Sequence, residues 1–125
     1  LMRLVQERVT TVMTPVVRLI GIEETADRDQ ILGLARQYGV AYVIVRKADD
    51  ENGWYGYVRT VDILLARGPL KPHIREMPRF SETENRLEAL LTLREEGAKI
   101  GLVLKDENVI GVVYEQGLIE ALSRA

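Results

Sequence analysis

Near the middle of the chain, "GYVRTVDIL" (residues 56–64) places a guanidinium, a hydroxyl and a carboxylate almost side by side, at Arg59, Thr60 and Asp62. The apolar pattern before them reads as a strand and the pattern after them as a helix, so all three fall where a helix begins. Free N–H groups and the positive dipole end of a helix favour phosphate there, and a guanidinium can fork onto phosphate oxygens. The same residues also have a purely structural use: Thr60 caps the helix and Asp62 stabilises its first turn, worth about 1 kcal/mol with no ligand. Both uses stand open on these residues alone.

Other chemistry is thin. His73 is the one histidine, so no histidine-based zinc site or Ser-His-Asp triad can be assembled, and it reads as a surface residue beside Pro72. There is no cysteine, which removes disulfides and thiolate metal sites and fits a reducing, cytosolic compartment. Glycine-rich phosphate fingerprints are missing. "DDENG" (49–53) is shorter than a calcium loop and lacks its closing glutamate, so it reads as a hairpin turn with Trp54 packing beside it. No acid with base, or nucleophile with base, occurs at a usable spacing, and the expectation is that the chain is not an enzyme. Its net charge of −2, with Lys and Arg scattered, argues against nucleic acid as a partner. "VAYVIV" falls far short of the ~20 apolar residues that span a bilayer, and "LMRLVQERV" lacks the apolar core of a signal peptide. Starting at Leu1 and ending in a helical pattern, the chain reads as a piece of a longer protein.

The elements that must position these residues come twice. "TADRDQILGLARQYGVAYVIV" (25–45) laid over "TENRLEALLTLREEGAKIGLV" (83–103) pairs Thr25/Thr83, Arg28/Arg86, Leu32/Leu90, Arg36/Arg94, Gly39/Gly97 and Val45/Val103 at one constant offset. Past that stretch the offset shortens, because "KADDENGWYG" is longer than "KDENVIG"; turns absorb such changes best. In each copy a threonine (Thr25, Thr83) is placed to cap a helix and a glycine (Gly39, Gly97) to stop it. A β-branched strand, an Asp/Asn-rich turn, a second strand and a final helix follow. Each copy reads strand, helix, strand, strand, helix, and one copy is too small to cover both faces of its sheet.

This order, with "VMTP" at 12–15 and the two glycine-led strand-to-helix junctions, resembles a tandem cystathionine β-synthase (CBS) domain pair, or Bateman module. "GYVRTVDILLA", "IREMPRFSETENRLEALLTLREEGAKIGLVL" and "VIGVVYEQGLIEAL" are similar to the pair found in bacterial magnesium and cobalt efflux, or hemolysin-like, proteins related to the cyclin M transporters. The fold class so expected is α/β (α+β): two β-α-β-β-α CBS repeats, 1–68 and 69–125, packed through their sheets with pseudo-twofold symmetry. The resemblance implies a regulatory module without catalysis, binding an adenine nucleotide (AMP, ADP or ATP, with or without Mg²⁺). It implies an attached transmembrane domain, about four apolar segments ahead of Leu1, and a place on the cytoplasmic face of the inner membrane. It also implies a homodimer joined through helices, and "LEALLTLR" and "VDILLA" carry more apolar side chains than one buried stripe needs.

The family's nucleotide signature is a glycine-led strand, then Thr or Ser, two residues, and Asp, whose carboxylate accepts hydrogen bonds from the ribose hydroxyls. Gly56 and Asp62 match it, Arg59 stands at the hydroxyl position, and Thr60 follows one residue later. In the second copy Tyr114 and Gly117 replace hydroxyl and acid, so the two sites should be unequal, with at most one nucleotide per chain. By the same resemblance the Asp62 cleft is completed by the Ile74 to Met77 linker, with Met77 toward adenine, by Lys99 toward phosphate, and by Tyr42. The competing function is a structural dimerisation module that has lost nucleotide binding.

Overall fold

The computed structural model describes residues 7–124. The first six residues of the stretch read above against a signal peptide lie outside them. In chain order the elements are β1 (Thr14–Pro15), β2 (Gly21–Glu23), α1 (Arg28–Tyr38), β3 (Tyr42–Arg46), β4 (Trp54–Arg59), α2 (Thr60–Leu65), β5 (Arg75–Glu76), β6 (Arg79–Ser81), α3 (Arg86–Glu96), β7 (Ile100–Lys105), β8 (Asn108–Tyr114) and α4 (Glu115–Ser123). The chain is mixed α+β, with two four-stranded sheets. The twice-repeated order of strand, helix, strand, strand, helix is present as β2-α1-β3-β4-α2 and β6-α3-β7-β8-α4.

Two compact units form. One is Ile20–Glu76; the other holds the described residues up to Leu19 together with those from Met77 onward. The "VMTP" segment belongs to the unit that contains the second copy.

In the Ile20–Glu76 unit the sheet order is β2-β3-β4-β5. β2 and β3 run parallel, as strands joined through a crossover helix must, and the β3–β4 hairpin is antiparallel. Asp27 opens α1: its carboxylate accepts from the Gln30 N–H while the Gln30 side chain accepts from the Asp27 N–H, a complete capping box. Thr25, the expected cap, instead donates its hydroxyl to Glu23. Gly39 ends the helix in the left-handed region at φ 63°, as expected. Ile31, Ala35, Val43, Val45, Val58 and Ile63 form the core between helices and sheet.

The other unit has sheet order β1-β8-β7-β6. Asn85 caps α3, accepting from the N–H groups of Leu87 and Glu88, and so replaces the expected Thr83, whose hydroxyl meets that of Ser81. Gly97 stops α3 at φ 65°. Phe80, Leu93, Val103, Val113 and Leu118 are central to its core, and Val9 of the N-terminal segment is fully buried among them. That segment is pinned by main-chain hydrogen bonds from Val9 N–H to the Glu84 carbonyl and from Arg86 N–H to the Glu7 carbonyl.

Candidate functional site

β4 hands directly to α2 at the Arg59/Thr60 junction. Arg59 takes the cap position with extended backbone, and its side chain caps nothing. Thr60 is the first helical residue: its hydroxyl donates to the Val40 carbonyl at 3.1 Å and its N–H to the Ala41 carbonyl at 2.9 Å. The expectation that Thr60 caps the helix is thereby corrected. It ties the helix start back to the turn behind α1, which fixes the position of the junction.

Asp62 lies in the first turn of α2, with its Oδ2 4.0 Å from a terminal nitrogen of Arg75. Both side chains are partly exposed, so the pair adds little stability, and a competing ligand can displace it cheaply. The approach depends on Gly56. A Cβ there would stand 2.7 Å from Ile74 Cγ2 and 2.8 Å from the Arg75 carbonyl oxygen, where β5 pairs with β4. The glycine that leads the junction thus admits the linker strand, and with it the Arg75 guanidinium. Arg75 was not singled out in the sequence, although it falls inside the linker expected to complete the Asp62 cleft.

Tyr42, Arg59 and Thr60 line one open cavity of about 430 Å³, together with Gly39, Val61 and Leu64. Tyr42 and Arg59 are opposite each other across the β3–β4 ladder, and the Tyr42 ring stands edge-on to Tyr57, with centroids 5.7 Å apart and planes at 80°. Asp62 does not line this cavity; it lies on the same first turn and meets Arg75 instead. The other two expected contacts belong to the other unit. Met77 is a buried residue, and the Lys99 ammonium is 3.0 Å from Glu115 Oε1.

α2 is only six residues long, so its dipole supplies little field for phosphate. Guanidinium groups are the complement available to an anion at this junction: Arg59 lines the cavity and Arg75 stands beside Asp62. In the second copy Tyr114 takes the cap position of α4, and burial pushes its phenol pKa up. Gly117 sits in α4 beside Glu7, Arg86, Glu120 and Arg124, whose charges are already joined as Arg86–Glu7 and Arg124–Glu120 pairs. That corner supplies no unpaired carboxylate. Among the described residues no cluster of three or more His, Asp or Glu is placed to hold a metal ion, and no helix is long and apolar enough to cross a membrane.

No family model matches the chain, and no curated protein matches it. Solved structures do. The CBS domain of a bacterial CNNM/CorC family Mg²⁺ transporter in complex with ATP is similar over 98% of this chain and 91% of its own, at 20% identity and a TM-score of 0.88. A hemolysin-like protein containing a CBS domain from Oenococcus oeni covers 97% of this chain and 93% of its own, at 12% identity and a TM-score of 0.86. A CBS-domain pair with bound AMP from Klebsiella pneumoniae covers 93% of this chain and 98% of its own, at 15% identity and a TM-score of 0.75. At these identities what is shared is architecture, and the architecture of this chain is that of the CBS domains.

Proposed function

We propose that this chain is a non-catalytic regulatory CBS-pair module, built from repeats 1–68 and 69–125, that senses an adenine nucleotide at the start of α2. The carrying observation is the convergence of Tyr42, Arg59 and Thr60 on one cavity, with Asp62 on the adjoining turn and Arg75 of β5 beside it. In this reading the Asp62 carboxylate accepts the ribose hydroxyls, Tyr42 packs against the base, and Arg59 and Arg75 meet phosphate. Met77 and Lys99 remain proposed contacts for adenine and phosphate. Similar folds bound to ATP and to AMP support the ligand class. The Mg²⁺ transporter and the hemolysin-like protein among them support a place in a divalent-cation transport or hemolysin-like protein; in this reading the chain is the cytoplasmic part of such a membrane protein and acts as a homodimer.

Calorimetry with AMP, ADP and ATP, each with and without Mg²⁺, tests the reading. The expected result is at most one nucleotide per chain, and a loss of about tenfold or more in affinity for Asp62→Ala, since each charge-assisted hydrogen bond is worth roughly 1.5–3 kcal/mol. A stoichiometry near two, or binding that survives Asp62→Ala, overturns the placement.

Two observations favour a second reading, a structural dimerisation module. Asp62 already has a cation beside it, and the second copy has Gly117 where an acid would stand. Absence of binding by wild type across the whole nucleotide panel, with a dimer retained, selects that reading.

A further inference from the structure

A separate cavity of about 500 Å³ opens in the Ile20–Glu76 unit, between the start of α1, the end of α2 and the chain that follows it. Ala26, Ile63, Ala66 and Leu70 give it an apolar wall, and its size is that of a small-molecule pocket. Most polar groups on its lining are already engaged. Glu24 accepts from the Ala48 N–H through one oxygen and from the Tyr55 hydroxyl through the other. Asp27 is held in the capping box of α1. Arg28 donates from Nε to the Ile63 carbonyl at 3.0 Å and from a terminal nitrogen to the Leu64 carbonyl at 2.9 Å, closing the end of α2. What stays uncommitted is the Lys71 ammonium and the His73 imidazole, two residues apart on one turn at the rim. Neither side chain donates a hydrogen bond to another described residue, although the Lys71 charge adds to the Ala48 N–H and the Tyr55 hydroxyl in holding the Glu24 carboxyl below the ordinary range.

We propose that this cavity binds a small amphipathic carboxylate, its chain against Ile63, Ala66 and Leu70 and its carboxylate on Lys71 and His73. An apolar body buried against that wall supplies affinity, and the two donors select an anionic head over a neutral one. The corner of the other unit that holds Arg86, the repeat counterpart of Arg28, is bordered by two ion pairs and offers no comparable apolar wall. The site is distinct from the Tyr42, Arg59 and Thr60 cavity and does not depend on nucleotide binding.

His73 is the one histidine in the chain, so its ring gives a single reporter signal in NMR. The probe is octanoate, with octanol lacking the charge and acetate lacking the chain. Octanoate is expected to produce a saturable shift of the His73 ring together with the Ala66 and Leu70 amides. Octanol and acetate should bind about fivefold more weakly or worse, as should octanoate to Lys71→Glu, an exposed change that leaves the rest of the amide spectrum in place. His73→Gln, followed through the Leu70 amide, should weaken octanoate in the same way. Non-saturating shifts, equal binding of octanol and octanoate, unchanged binding by Lys71→Glu, or shifts centred on the exposed Leu64 and Leu65 would each overturn the proposal.

Discussion

Arg28 and Arg86 hold the same place in the two repeats yet are used differently. Arg28 is exposed and closes the end of α2 through two carbonyls. Arg86 is 5% exposed, pairs with Glu7, and donates to the Thr11 hydroxyl at 3.3 Å, while its Nε is buried without a partner. Arg86→Ala strips Glu7 of its cation and the Thr11 hydroxyl of its donor, and should cost about 2–4 kcal/mol in urea unfolding. Arg28→Ala, where water can replace the lost contacts, should cost roughly 1 kcal/mol. Glu24 and Tyr55 tie the end of β2 to the β3–β4 hairpin and leave a signature in pH. The Ala48 N–H first, and then the Tyr55 hydroxyl, hold Glu24 below its ordinary 4.5; that stability is present above about pH 4.5 and is lost as pH falls through the lower folded value. Burial first, and then the Glu24 carboxylate, push Tyr55 from 10.0 up to about 12, so its share is present below about pH 10 and is lost as pH climbs through about 12. Thermal midpoints of Tyr55→Phe should therefore depend less on pH than wild type at both ends.

At the scale of elements, the two glycine stops were legible because Gly39 and Gly97 each follow a helical run, and only glycine enters the left-handed region cheaply. The caps were misplaced. Thr25 and Thr83 stand two residues ahead of Asp27 and Asn85, whose side chains reach the free N–H groups of the first turn better than a threonine does. β1 and β5, at two residues each, are too short to show any alternation, so the sequence could not disclose them. This is why Arg75 was missed as the neighbour of Asp62, while Tyr42, Arg59 and Thr60, carried on longer elements, were found together. Glycine pairs that look alike in the sequence should also separate experimentally. Gly97→Ala meets open space and should cost only its strained φ, about 1 kcal/mol. A Cβ at Gly111 would collide with the Thr14 carbonyl and Met13 in the β1–β8 pairing, so Gly111→Ala should cost more, about 2 kcal/mol or above, in the same urea assay.

For the molecule as a whole, the apolar excess read in the helices is partly unspent. Val61, Leu64 and Leu65 of α2 are 44%, 56% and 78% exposed, and Leu91 of α3 is 47% exposed. Exposed apolar helix surface of this kind supports the proposed homodimer, and Leu65→Glu should move the protein toward monomer in light scattering with no change in circular dichroism. The placement of the N-terminal segment has a kinetic consequence as well. The Ile20–Glu76 unit is one continuous piece of chain, whereas its companion is assembled from two pieces separated by that whole stretch. Closing so long a loop costs entropy before any β1–β8 contact repays it. Pulse-labelled hydrogen exchange should accordingly find the amides of α1, β3 and β4 protected early in refolding, while Thr14 and the Val9–Glu84 hydrogen bond gain protection last.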